Sequence, residues 1–111
     1  MMTISARDVA TTDKAWRQAK REFRKAFGDV ARAYRKANGL TAKAVSDKAF
    51  EFARQANVTG VYNFERGRPG WVDPKFAEGV FRAVGIPDAE LLGSAYRDLK
   101  ILFHGETKET N

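Results

Sequence analysis

From Thr12 to Asn38 the chain has no proline and one glycine, Gly28. Within that span large apolar residues recur at Trp16, Phe23, Phe27, Val30 and Tyr34, with Ala19, Ala26, Ala33 and Ala37 between them. Steps of three, four and seven line one face of a helix. Lys or Arg at 17, 20, 21, 24, 25, 32, 35 and 36 fills the remainder. Such a segment folds as one long amphipathic helix, or as two helices broken near Gly28, since glycine costs about 1 kcal/mol in a helix interior. The rest of the 111-residue chain must be arranged around that rod.

Asn38-Gly39 closes the segment, because both residues tolerate the left-handed backbone of a C-terminal cap. Thr41 caps the next helix, whose small-residue face (Ala42, Val45, Ala49, Phe52, Ala53, Ala56) predicts helix through about Gln55. Asn57 is the expected stop, with Val58 filling the gap and Thr59 capping a short segment that anchors through Val61 and Phe64 and ends at Gly67. Arg68-Pro69-Gly70 is a turn, and Asp73-Pro74 opens a helix bearing Phe76, Val80 and Val84 up to Gly85. Pro87-Asp88 opens the last helix, with Leu91, Leu92, Ala95, Leu99 and Leu102 on one side, ended by Gly105 before a polar tail over 105–111. Residues 1–11 are short on large apolar side chains and are expected to be flexible, although Ser5 and Asp8 have capping-box spacing. No alternating pattern of a strand occurs, so the expected fold is all-α, about five helices in one domain over 12–104.

Charge narrows the function. The net charge is +6, and residues 1–38 carry all of it, with 10 Lys/Arg against 4 Asp/Glu; residues 39–67 carry +1 and residues 68–111 carry −1. A basic balance points to an anionic partner, nucleic acid first. Localised as it is, the excess is either an electrostatic footprint or the solvated face of the long helix. With no Cys and one His (His104), the chain lacks the side chains of a zinc site, a thiol nucleophile or a disulfide framework. No pair of carboxylates sits beside a nucleophile, so neither an enzyme nor a bound cofactor or metal is expected. At 43% hydrophobic the chain is too apolar for a disordered basic tail, yet no run could span a bilayer. No secretory signal is visible at the start, and the expected location is cytoplasmic, at the nucleoid, with no membrane partner.

The most informative stretch is residues 52–70, FARQANVTGVYNFERGRPG. Small residues at Ala53 and Ala56, a turn residue at Asn57, and Val61 and Phe64 facing inward describe two short helices crossing through a tight turn, the requirement of a helix-turn-helix over 41–67. Outward positions are then Thr59, Gly60, Tyr62, Asn63 and Arg66. Asn pairs bidentately with adenine, Thr and Tyr reach phosphates or base edges, and Arg pairs with phosphate or guanine.

With ArgLysAlaAsnGlyLeuThr at 35–41, PheGluArgGly at 64–67, ArgPro at 68–69 and AlaValGlyIlePro at 83–87, the chain resembles the Cro and lambda-repressor type of helix-turn-helix regulators, the XRE family. The resemblance covers about Phe27 to Leu92. Between Leu40 and Gly67 the chain is about six residues longer than that family's spacing, which implies an extended second helix, and Ala42-Lys43 stands where the family has Gln. The resemblance implies a lambda-repressor-like domain with a long N-terminal helix. It also implies a phage, plasmid or bacterial repressor or activator, binding a pseudo-palindromic operator in double-stranded DNA as a homodimer. Lys43, Lys48, Thr59, Gly60, Tyr62, Asn63, Arg66 and Arg68 are the expected DNA-binding residues. Glu65 and Arg66 have an alternative role in ion pairing within the fold, and Trp71 in the core. The long helix pairs with a second subunit through its heptad spacing, or caps the core and lays its basic face along DNA; the last helix is the other candidate dimer surface. The alternative function is a helix-turn-helix adaptor that binds RNA polymerase or another regulator.

Overall fold

A computed structural model describes the backbone of residues 6–54 and 56–108, and the side chains of 13–54 and 56–103. The described residues form five helices and no strand: α1 (Ala6–Ala37), α2 (Ala42–Ala49), α3 (Val58–Glu65), α4 (Pro74–Ala83) and α5 (Ala89–Lys108). The fold is all-α, as the periodicity predicts. No helix among the described residues is long and apolar enough to cross a membrane.

The first helix is continuous, without a break at Gly28. Glycine is there because the backbone of α3 comes too close for a side chain. A Cβ on Gly28 would meet the Phe64 carbonyl oxygen and lie 2.7 Å from that of Glu65. Helix begins at Ala6, within the segment expected to be flexible, because once α1 is nucleated each further residue adds a hydrogen bond at small cost. The Ser5 half of the capping-box reading lies outside the described residues, as does the tail from 109 onward. Likewise α5 passes through Gly105 to Lys108, glycine's penalty of about 1 kcal/mol being too small to stop it.

Helix ends follow the predicted punctuation where the cap chemistry is local. Beyond α1, the Leu40 N–H donates to the Arg35 carbonyl at 2.9 Å and the Gly39 N–H to that of Lys36 at 3.1 Å. This is the paired C-terminal cap that a glycine at φ +65° allows. Thr41 Oγ1 accepts from the Ala44 N–H at 3.1 Å, and Asp73 Oδ1 from the Lys75 N–H at 2.8 Å.

The second helix departs from expectation, ending at Ala49 rather than near Gln55. After it the ladder tightens, with the N–H groups of Glu51 and Phe52 donating three residues back, to Lys48 at 3.2 Å and Ala49 at 2.9 Å. The tighter turn buries Ala53 while rotating Phe52 out to 41% exposure, so Phe52 is not a core residue. Asn57, not Thr59, caps α3: its Oδ1 accepts from the Gly60 N–H at 2.7 Å. Val58 is also exposed and fills no gap, because with the cap at Asn57 the helix starts at Val58, two residues earlier than a Thr59 cap would place it.

The core gathers Phe27 and Ala31 of α1, Val45 and Ala49 of α2, Val61 and Phe64 of α3, Phe76, Val80 and Phe81 of α4, and Tyr96 of α5. Tyr96 is the hub, with ring centroids 5.2 Å from Phe27, 5.8 Å from Phe64 and 5.1 Å from Trp71. Its hydroxyl accepts from the Val72 N–H at 2.9 Å, which ties the loop after α3 to α5. Rings of this size are worth roughly 2–3 kcal/mol each when fully buried. A second aromatic group, Trp16, Phe23, Trp71 and Phe103, fastens the first half of α1 to the end of α5.

Candidate nucleic-acid interface

The third helix, VTGVYNFE, has one ionisable carboxylate, Glu65, and the fold takes it off the surface. Its side chain is 3% exposed and is held by Arg35 of α1, Nε to Oε2 at 2.6 Å and Nη2 to Oε1 at 2.9 Å. This hydrogen bonding, offset in part by burial, raises the Arg35 pKa above its already high ordinary value. With Val61 and Phe64 also inside, the outer face of α3 consists of Thr59, Tyr62, Asn63 and Arg66. These residues recur at three, four and seven, and Arg66 lies with its guanidinium carbon 5.8 Å from the Tyr62 ring centroid.

Gly60 lies at the edge of that face, lining one cleft with Asn63 and at the same intermediate burial. It is half-buried against Phe76, whose Cζ would lie 3.2 Å from a Cβ on Gly60, so this glycine serves helix packing.

Two clefts flank the outer face. The first, of about 320 Å³, brings Gly60, Asn63 and Arg68 together with Arg24 of α1 over an aromatic floor of Trp71 and Tyr96. Its lining contains two guanidinium groups and no carboxylate. Arg24 lies 5.8 Å from the Trp71 ring centroid, and its Nε is buried without a hydrogen-bond partner among the described residues. Burial holds the Tyr96 phenol protonated, its pKa pushed up to about 12 against the opposing hydrogen bond from Val72. The second cleft, of about 390 Å³, sets Arg66 beside Gln18, Arg21, Glu22 and Lys25 of α1.

The basic helix and the nearly uncharged α3, apart in the sequence, are therefore adjacent in space. Gly67 makes this possible: with φ at +60°, it comes so close to α1 that a Cβ there would lie 2.7 Å from the Lys25 Cα. Arg24 is the residue that sequence reasoning missed. Its spacing from its neighbours in α1 is that of any basic residue there, and only the fold sets it against Asn63.

The remaining expected residues are not brought together in this way. Lys43 and Lys48 are exposed on α2 and line neither cleft; Lys43 Nζ lies 3.5 Å from Asp47 Oδ2. Within α1, Arg17 and Lys25 are partnered by Asp13 at 3.1 Å and Asp29 at 3.0 Å, whereas Arg21, Arg32 and Lys36 make no ion pair among the described residues. Trp71 is half-buried and stacks on Phe103 with centroids 5.7 Å apart, so it is an edge of the core. Comparison with known protein families, with curated proteins and with solved structures finds no match to this chain.

Proposed function

We propose that the chain is a sequence-specific DNA-binding regulator of transcription, working as a homodimer at the nucleoid. In this reading α2 and α3 act as a helix-turn-helix on a pseudo-palindromic operator. The supporting observation is the acid-free outer face of α3, flanked on both sides by cations of α1 and of the loop that follows α3. A helix in the major groove needs short polar groups toward base edges and cations toward the phosphates on either side. Asn63 and Tyr62 serve the first role, Arg24, Arg66 and Arg68 the second, and Lys43 and Lys48 reach the backbone from α2.

Selection of bound sequences from a random DNA pool, followed by titration across salt concentrations, tests this. A recovered palindrome and a steep fall of affinity with salt are expected. Binding without sequence preference, or none near physiological salt, would overturn it.

One feature favours a second reading, an adaptor for RNA polymerase or another regulator. Phe50, Phe52 and Val58 lie 46%, 41% and 36% exposed around the connection between α2 and α3. A stoichiometric protein partner lost on Phe50→Ser, with Tyr62→Ala and Asn63→Ala neutral, would favour the adaptor.

A further inference from the structure

The apolar face of α1 is only partly used by the chain's own core. Phe27, Gly28 and Ala31 are buried, but Phe23, Val30 and Tyr34 remain 41%, 39% and 38% exposed. Phe23 and Val30 belong to a series with Ala19, Ala26, Ala33 and Ala37, at steps of four, three, four, three and four. That alternation is the seam of a two-stranded coiled coil, with Phe23, Val30 and Ala37 in one set of core positions and alanines in the other. At about 100° per residue the seam lies roughly a third of a turn from the Phe27–Ala31–Arg35 face, with Phe23, whose ring centroid is also 5.9 Å from that of Phe103, on its edge nearest the core.

We propose that α1 pairs with α1 of a second copy of this chain, antiparallel, along this seam. Two observations select the occupant and the direction. In an antiparallel pair Phe23 meets Ala33 of the partner subunit, Val30 meets Ala26 of the partner subunit, and Ala37 meets Ala19 of the partner subunit, so each larger side chain faces an alanine. A parallel pair sets Phe23 against its own copy and alanine against alanine, giving uneven layers. Charge agrees: Glu22 and Lys36 both flank the seam, and antiparallel pairing puts Glu22 beside Lys36 of the partner subunit, twice. Among the described residues Lys36 makes no ion pair, and Glu22 accepts from Gln18 Nε2 at 3.1 Å. Asp29, which meets its own copy at the dyad, is already neutralised by Lys25 at 3.0 Å. A parallel pair would set Glu22 beside Phe27 and gain no such contact.

The seam is about 27 Å long, and the helix that carries it is already ordered by the domain, so no helix nucleation opposes pairing. The last helix competes poorly. Its exposed Leu91 stands ten and eleven residues from the exposed Ile101 and Leu102, with exposed Asp98 between them, so no continuous apolar stripe forms, while Leu92 and Leu99 are partly spent on the chain's own core.

The inference shares with the functional reading only the expectation of a dimer, and its test does not use DNA. Sedimentation of the full chain should give about twice the 12.4 kDa chain mass. Ala26→Glu or Ala33→Glu, both at exposed positions, should leave helicity unchanged and weaken self-association by at least about tenfold. Leu102→Glu should leave it intact. Since the chain has no cysteine, direction can be read by cross-linking. Ala19→Cys and Ala37→Cys chains should form a disulfide when mixed, and neither should do so alone. A monomer throughout, or a dimer indifferent to both glutamates, overturns the seam, and cross-linking of either variant alone overturns the antiparallel direction. A palindrome recovered from DNA selection with the seam overturned would leave the regulator reading standing; a seam dimer that selects no DNA sequence would do the reverse.

Discussion

Arg35 and Glu65, thirty residues apart in sequence, form a two-pronged ion pair almost out of water: the arginine side chain is 13% exposed and the glutamate 3%. The remaining guanidinium nitrogen, Nη1, donates to the Leu40 carbonyl at 3.1 Å. One side chain thus joins the end of α1, the entry to α2 and the end of α3, and gives Glu65 an internal counter-ion that keeps it off the surface of α3.

Removing one half of that pair should be costly and removing both should not. Glu65→Leu leaves a largely buried guanidinium uncompensated and is expected to destabilise the domain by about 3–5 kcal/mol. Adding Arg35→Met should recover most of the loss. Urea denaturation of the two single variants and the double variant measures this, and additive single effects would show that the pair is not coupled.

Gly28→Ala should destabilise although alanine is the better helix former. The gain of about 1 kcal/mol in propensity is outweighed by backbone oxygens of Phe64 and Glu65 that cannot yield as a side chain can. A net loss of about 3 kcal/mol, at the upper end of over-packing costs, is expected from denaturant midpoints. Equal or increased stability would mean that α1 and α3 are not in backbone contact.

Tyr96 ties stability to alkaline pH. Its folded pKa of about 12 lies above the ordinary value of 10.0. The neutral phenol therefore contributes fully below about pH 10, and the contribution is lost as pH rises toward 12. Two pKa units amount to at most about 3 kcal/mol. Tyr96→Phe should lack that alkaline loss, while losing roughly 1 kcal/mol at neutral pH with the hydrogen bond from Val72. Stability curves of the two chains should converge above pH 10; parallel curves would remove Tyr96 as the cause.

On the proposed regulator reading, the two kinds of residue around α3 should fail differently. Arg68→Gln should weaken binding to all DNA alike and reduce the salt slope by about 1. Asn63→Ala should cost about 1–3 kcal/mol on the preferred site and relax selection at one base pair, leaving the slope unchanged. Competition titrations at several salt concentrations separate the two, and a uniform effect of Asn63→Ala would remove it from base recognition.

Much of the fold was legible because its signals are local. Asn38-Gly39, Thr41 and Asp73-Pro74 each cap through atoms within a few residues, and the spacing of Phe76, Val80 and Val84 states which side of α4 is buried. Signals failed where the outcome depends on a distant element. Phe52 fits a helical face that α2 abandons three residues earlier, and Gly28 reads as a break until α3 is laid across it. At the candidate site, the outward positions of Thr59, Tyr62, Asn63 and Arg66 followed from Val61 and Phe64 facing in. Arg24 could not be singled out, since its placement beside Asn63 depends on how α1 crosses the end of α3.

That crossing has a mechanical consequence. At Gly28 and Gly67 two main chains touch with no side chain between them to absorb a shift. The 32-residue α1 and the eight-residue α3 are thereby coupled like a shaft and the key fixed to it. A rotation of α1 at this crossing therefore has to be followed by α3, so the angle at which α3 is presented is tied to how α1 is held.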